Sequence, residues 1–134
     1  MADVSVVVPA RNAATTIADA LRSILAQDRL AEVIVVDDGS TDRTAEIVLT
    51  LGDPRIRLIT GPCTGIADAL NAGFRAATSP YVARCDADDL FLPGRLARQA
   101  DWLDRNPDHV AISAGFQSID GKGRKIAELG CGGP

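Results

Sequence analysis

The stretch that decides the fold is residues 33–40, VIVVDDGS, in which four β-branched residues run directly into two carboxylates, a glycine and a serine. A short, wholly apolar run of this kind predicts a strand buried on both faces, as in a parallel sheet. The same order recurs at residues 81–89, YVARCDADD, where three aspartates follow a second apolar run. Two acidic clusters are therefore expected at the ends of two buried strands.

Apolar runs alternate with helical periodicity along the chain, which predicts an α/β fold with a Rossmann-like, mostly parallel sheet and helices on both faces. The predicted strands are residues 4–8, ended by Pro9, and residues 32–36, 56–59 and 81–85. Four helices are predicted, and two of them cover residues 13–26 and 66–77. Another is capped by Ser40 or Thr41 and has Asp42 in its first turn. The last starts at Pro93 and is capped by Asp89. Residues 110–113 are a candidate fifth strand, residues 116–127 a candidate hairpin, and residues 129–134 a loose tail.

Size and charge narrow the classes of function. A length of 134 residues predicts one domain over residues 1–134, and a net charge of −4 argues against nucleic acid or an anionic membrane as a primary partner. Of the 18 acidic residues, 15 are aspartates, a bias toward turns, caps and ligands. An odd number of cysteines without metal-type spacing and an N-terminus without a signal-peptide pattern predict reduced thiols and a cytoplasmic location. A peripheral position at the inner face of the membrane is kept as the alternative.

The acidic clusters predict a ligand site. Ligands of open parallel sheets bind beyond the carboxyl ends of the strands, where the strand order reverses. Like charges about 6 Å apart cost roughly 2–3 kcal/mol at an effective dielectric near 20, so a divalent cation or a donor-rich ligand is the expected resident. Asp86 and Asp88, on one extended segment, can share a hard cation such as Mg²⁺ or Mn²⁺. Asp37 and Asp38 have a plainer interpretation as a turn before a helix, although Asp38 can also accept a ring N–H from uracil or guanine.

Five motifs in order resemble the inverting nucleotide-diphospho-sugar glycosyltransferases of family 2, which have the GT-A fold. They are residues 4–12 (VSVVVPARN), 34–42 (IVVDDGSTD), 65–73 (GIADALNAG), 83–89 (ARCDADD) and 93–99 (PGRLARQ), and the resemblance covers roughly residues 3–118. It implies metal-dependent transfer of a sugar from a nucleotide-diphospho-sugar, with UDP-sugars as the first expectation and an unidentified acceptor. The implied nucleotide-sugar-binding residues are Pro9, Ala10, Arg11, Asn12, Asp38, Arg84, Asp86 and Ala87, and the implied metal ligands are Asp88 and Asp86.

Two departures from the family pattern matter. The family's general base lies on a segment beyond Pro134, so we expect this chain to hold the donor-binding half, without an assigned catalytic residue. Leu70 stands where many relatives have arginine. Arg84 has two possible roles, a contact with a phosphate or simple neutralisation of the carboxylates. Asn71 and Gly73 are expected to let the third helix pack closely.

Three alternatives to the transferase remain at this point. A non-catalytic nucleotide-sugar-binding module is one, and it would self-associate as a homodimer through an exposed sheet edge or face. A nucleotidyltransferase is disfavoured because residues 9–14 contain no glycine for a phosphate loop. A phospho-receiver domain is strongly disfavoured, because its acidic pair would follow the first strand, whereas here the pair follows the second.

Overall fold

The computed structural model describes the backbone of residues 1–129 and the side chains of residues 1–125. In chain order the elements are β1 (Val4–Ala10), α1 (Ile17–Leu25), β2 (Leu30–Asp37), α2 (Thr44–Thr50), β3 (Ile56–Thr60), α3 (Ile66–Ala76), β4 (Tyr81–Arg84), α4 (Arg95–Arg105), β5 (Phe116–Ile119) and β6 (Lys125–Leu129). None of the helices in this part of the chain has the length and apolar content that crossing a membrane requires.

The main sheet has the order β3-β2-β1-β4, and every neighbouring pair in it is parallel. β1 and β2 lie in the middle, and all seven residues of β1 are buried. The predicted α/β fold with a mostly parallel sheet is confirmed.

Side chains alternate between the two faces of the sheet, as the pleat requires. Val6 and Val8 pack with residues of α1, α2 and α4, whereas Val7 packs with Ala69 and Leu70 of α3. Helices therefore cover both faces, as predicted.

Gly73 brings α3 close to the sheet. A methyl group added at this position would overlap with the Val7 side chain and would crowd Val36. The prediction that Gly73 allows close helix packing is confirmed.

The prediction that Pro9 ends the first strand is wrong, because β1 continues to Ala10 and pairs with Asp37 of β2. The Cys85 N–H donates to the Val7 carbonyl, so the backbone groups of Val7, and of Pro9 two residues on, point toward β4. The ladder with β4 ends at Val7. The missing N–H of Pro9 therefore falls past the end of β4, where it removes no ladder hydrogen bond.

The predicted start of α2 is also wrong. Ser40 and Thr41 do not cap it, because α2 begins at Thr44 and the Ser40 hydroxyl instead accepts the Asn12 N–H at 2.9 Å. Asp42 precedes the helix, and its carboxylate accepts the Thr44 N–H at 3.0 Å.

Two other helices start later than predicted. α1 begins at Ile17 because Thr16, with φ of −123°, is not helical, and the N–H groups of Ala13 and Ala14 before it donate to the side chains of Thr44 and Asp42. α4 begins at Arg95 because Gly94, with φ of +82°, is left-handed. Pro93 is thus not the first helical residue, and Asp89 is not the cap.

The chain divides into two compact units, with the boundary between Ala100 and Asp101. The prediction of one domain over residues 1–134 stays a prediction. In the second unit β5 and β6 pair antiparallel, which confirms the hairpin. Residues 110–113 are not a strand: among the described residues they have no partner strand, and Val110 is exposed. Leu129, predicted as tail, belongs to β6, and residues 130–134 lie outside the described residues.

Candidate functional site

A cleft of about 420 Å³ opens at the carboxyl end of the sheet. The strand order places it at the point where β1 has β2 on one side and β4 on the other, which is where ligands of open α/β sheets bind. Its lining consists of Pro9, Arg11, Asn12, Ala13, Thr15, Thr16, Ile66, Asp86, Ala87 and Asp88.

The loop after β4 presents two carboxylates to this cleft. Cys85 and Ala87 are buried, and they alternate with Asp86 and Asp88, which are half-buried and exposed. The Cys85 N–H donates to the Val7 carbonyl at 3.0 Å, and the Asp89 N–H donates to the Asp86 carbonyl at 3.0 Å. The second bond closes a turn at Ala87 and Asp88, so the prediction that Asp86 and Asp88 lie on one extended segment is wrong. Burial of the Cys85 thiol raises its pKa to about 12, so this cysteine serves as packing under the loop.

Arg84 pairs with Asp86 through both carboxylate oxygens. The Nε atom of Arg84 lies 2.8 Å from Oδ1 of Asp86, and the Nη2 atom lies 3.3 Å from Oδ2. The hydrogen bond to Asp86 raises the pKa of Arg84. Arg84 is not part of the cleft lining.

Asp88 has no hydrogen-bond or ion-pair partner among the described residues, although it lines the cleft. Burial, and then the charges of Asp88 and Asp86, raise the pKa of the neighbouring Asp89, which shows that negative potential accumulates here. Unpaired carboxylate oxygens in such a potential suit a hard divalent cation. No group of three or more metal-type ligands comes together in the described residues, so a cation here would complete its shell with ligand phosphates or water.

Asp38 lies beside the cleft, at the carboxyl end of β2, and is not part of the lining. It is 6% exposed, its Oδ1 accepts the Cys63 N–H at 2.7 Å, and its own N–H donates to the Ala10 carbonyl at 2.8 Å. Gly61 allows this approach, because a Cβ there would lie 2.5 Å from Oδ1. Oδ2 of Asp38 has no protein partner. Every fully buried side-chain oxygen in the described residues does have a partner, so Oδ2 is not fully buried and remains accessible.

A polar bridge joins the loop after β1 to the loop after β2. Asn12, with φ of +51°, accepts the Thr41 N–H at 2.8 Å through its side chain, and its own N–H donates to the Ser40 hydroxyl. Asp37 stabilises the second loop by accepting the Ser40 N–H at 3.1 Å. The bridge fixes the positions of Asn12 and Asp38 relative to each other.

The structure brings together Pro9, Arg11, Asn12, Asp86, Ala87 and Asp88 in one cleft, whereas Ala10, Asp38 and Arg84 lie outside its lining. The sequence did not predict Ala13, Thr15, Thr16 and Ile66 in the lining, nor Cys63 as the partner of Asp38. Thr15 and Thr16 could have been found from their position just before a helix that follows the first strand. The Cys63 contact has no signal in the sequence, because it depends on the register of β3.

The sequence profile of glycosyl transferase family 2 matches residues 5–128. The succinoglycan biosynthesis protein ExoO of Rhizobium meliloti is 39% identical over 127 residues, which are 92% of this chain and 36% of that protein. Two solved structures are also similar. One is a mannosyltransferase of Pyrobaculum calidifontis in complex with GDP-Man and Mn²⁺, which is 39% identical with a TM-score of 0.67 over 75% of this chain and 32% of that one.

The other is the glucosyl-3-phosphoglycerate synthase of Mycobacterium tuberculosis in complex with Mn²⁺, UDP and glucosyl-3-phosphoglycerate. It is 29% identical, with a TM-score of 0.60 over 78% of this chain and 39% of that one. The chain thus spans well under half the length of these relatives. With the profile matching nearly its whole length and the GT-A sheet in place, the chain belongs to glycosyl transferase family 2.

Proposed function

We propose that this chain binds the nucleotide-diphospho-sugar donor of a sugar-transfer reaction, together with Mg²⁺ or Mn²⁺. The observation that carries the proposal is that Asp86 and Asp88 face the same cleft as the Pro9–Asn12 turn, at the switch point of the sheet. The relatives solved with GDP-Man or UDP and Mn²⁺ support a cation-bound nucleotide as the ligand class.

The residues predicted for the site have distinct roles in this proposal. Asp38 would accept a ring N–H of the base through Oδ2, Asp86 would lie against the ribose, and Asp88 would hold the cation. Pro9, Arg11 and Asn12 form the wall over the nucleotide, with Ala10 and Ala87 as backbone contacts. Arg84 acts on the donor through Asp86.

The cation, when bound, supplies Lewis-acid stabilisation of the negative charge that develops on the leaving diphosphate. The residues of this chain orient the donor and hold its base, ribose and phosphates in register. Transfer also requires a general base that deprotonates the acceptor hydroxyl. A UDP-sugar is the proposed donor.

Calorimetric titration with UDP, GDP and TDP, each with and without Mn²⁺, tests the proposal. We expect metal-dependent heat with at least one nucleotide, and its loss in Asp88→Asn. Asp28→Asn is the matched control, because Asp28 is an exposed aspartate at the opposite end of the sheet. Absence of metal-dependent heat with all three nucleotides would overturn the donor-binding proposal.

A second candidate function, self-association, is favoured by the edge of the sheet. β4 is the last strand in the four-stranded order, and its Val82 is 44% exposed. An exposed edge with an apolar side chain invites pairing with a second copy. Sedimentation should show a dimer that Val82→Lys dissociates and that Leu49→Lys, a change at an exposed helix position, does not. A monomer at every concentration would exclude this candidate.

The proposed location is the cytoplasm or the inner face of its membrane. The free thiols of Cys63 and Cys85 support it, because reduced cysteines are the rule in that compartment. Fractionation of cells that express the tagged chain should place it in the cytosolic or the peripheral membrane fraction. Recovery from an extracytoplasmic fraction would contradict the location.

A further inference from the structure

Arg84 and Asp86 lie on either side of the buried Cys85, and Asp88 follows in the turn at Ala87 and Asp88. Arg84 could in principle neutralise either carboxylate. In the structure it uses two nitrogens on the two oxygens of Asp86, and it leaves Asp88 without a protein partner.

The bidentate pair has a consequence for cation binding. A guanidinium that holds both oxygens of Asp86 takes one lone pair of each and places a positive charge beside them, so a cation gains less from Asp86 than from the unpaired Asp88. Asp88 is then the carboxylate left to bind the cation. A Mg²⁺-type cation that is bound by one carboxylate takes its other ligands from substrate phosphates and water.

We propose that Arg84 is a positioning residue that keeps Asp86 out of the cation's ligand set and holds it for the nucleotide, so that the cation binds tightly only together with a nucleoside diphosphate. This inference rests on the proposed function, which supplies the nucleotide.

Arg84→Gln is the direct test, with Mn²⁺ as the probe and the resonance of free Mn²⁺ as the readout. Without nucleotide, the variant frees Asp86, so the site gains a second carboxylate and we expect about tenfold tighter Mn²⁺ binding. Arg95→Gln is the matched control. The Arg95 charge also acts on the acidic loop, through Asp89, but Arg95 makes no contact with Asp86. For this control we expect a change below about threefold.

Two further variants separate orientation from charge. Arg84→Lys keeps the charge but cannot hold both oxygens in a fork, so it should also tighten nucleotide-free Mn²⁺ binding. In Arg84→Gln combined with Asp86→Asn the gain should disappear, because the freed carboxylate is gone. Arg84 is an exposed side chain, so none of these changes should prevent folding, which thermal melts would verify.

The same titration with UDP present measures the coupling. In the unsubstituted protein UDP should tighten Mn²⁺ binding strongly, and in Arg84→Gln this gain should shrink by about tenfold because the nucleotide-free affinity has risen. Equal effects of Arg84→Gln and Arg95→Gln, or an Arg84→Lys variant indistinguishable from the unsubstituted protein, would overturn the positioning role. Failure of every nucleotide to bind would overturn the proposed function instead, since the nucleotide-free comparison judges Arg84 by itself.

Discussion

Asp38 combines a structural contact with a free acceptor oxygen. Its Oδ1 holds the Cys63 N–H at 2.7 Å, and Oδ2 has no protein partner. Asp38→Ala should therefore lower the free energy of unfolding by about 1–3 kcal/mol, because the Cys63 N–H loses its acceptor. It should also weaken nucleotide binding by about tenfold or more, to the same extent with and without Mn²⁺.

Asp38→Asn is the control that separates these two effects. The amide oxygen can still accept the Cys63 N–H, so most of the stability should return, while the amide nitrogen in place of Oδ2 cannot accept a ring N–H from the base. Urea denaturation and calorimetry on both variants provide the measurement. If Asp38→Asn restores nucleotide affinity together with stability, Asp38 acts through the fold alone.

The chemistry at single residues was partly readable from the sequence. The Asp86–Asp88 pair was predicted at a strand end, and the structure places both side chains in one cleft. The roles of Ser40 and Thr41 were not readable, because the Asn12 loop that they bond lies far away in the chain and close in space. When a residue has one possible partner nearby in the chain and another far away, propensity rules do not predict which of the two it bonds.

At the scale of elements, Glu32 ties the amino ends of the strands together. Its Oε1 accepts hydrogen bonds from the Ser5 hydroxyl and from the N–H and hydroxyl of Thr78, and its Oε2 accepts one from Arg57. Burial raises the pKa of Glu32, but these hydrogen bonds outweigh burial and lower it from 4.5 to about 2. One carboxylate thus connects β1, β2, β3 and the segment that leads into β4.

The lowered pKa predicts a stability that depends on pH. Glu32 stabilises the fold fully above its unfolded pKa of 4.5, and the contribution is lost as the pH falls from there through about 2. The loss should be on the order of 3 kcal/mol. Urea denaturation between pH 6 and about pH 2 measures it. Glu32→Gln should flatten this part of the pH dependence, whereas Glu46→Gln, on the exposed surface of α2, should leave it in place; an unchanged slope in Glu32→Gln would contradict the assignment.

Gly73→Ala tests the packing of α3 on the sheet. The added methyl overlaps with buried Val7, so an overpacking cost of about 1–3 kcal/mol should exceed the helix preference of alanine, about 1 kcal/mol. The free energy of unfolding should therefore fall. Gly121→Ala is the control, since no atom lies within 4 Å of its added methyl. A more stable Gly73→Ala variant would show that α3 can move away from the sheet.

The sequence predicted the elements better than their ends. The wholly apolar strands and the periodic helices were predicted because burial on both faces and a one-sided stripe leave clear patterns. The start of α1 follows from the non-helical backbone of Thr16, and that of α4 from the left-handed Gly94. The start of α2 was missed because Ser40 and Thr41 bond to Asn12 of another loop. Pro9 was misjudged because its missing N–H matters only where a neighbouring strand continues.

At the scale of the whole molecule, the sheet order determines where chemistry can happen. With β1 between β2 and β4, the loops after these three strands meet at one end of the sheet, and this end carries the Asn12 turn, Asp38 and the Asp86–Asp88 loop. At that end Asp38 and Asp86 have protein partners, whereas Asp88 has none in the part of the chain that the structure describes. An arrangement that tolerates an unpaired charge beside two other aspartates is typical of a binding site.

A crystal structure of the chain with UDP and Mn²⁺ tests this account most directly. We predict the cation in direct contact with an Asp88 oxygen, the diphosphate across the cleft, the base against Asp38, and Arg84 still paired with Asp86. Nucleotide bound elsewhere, or Mn²⁺ held away from Asp88 with UDP present, would contradict it.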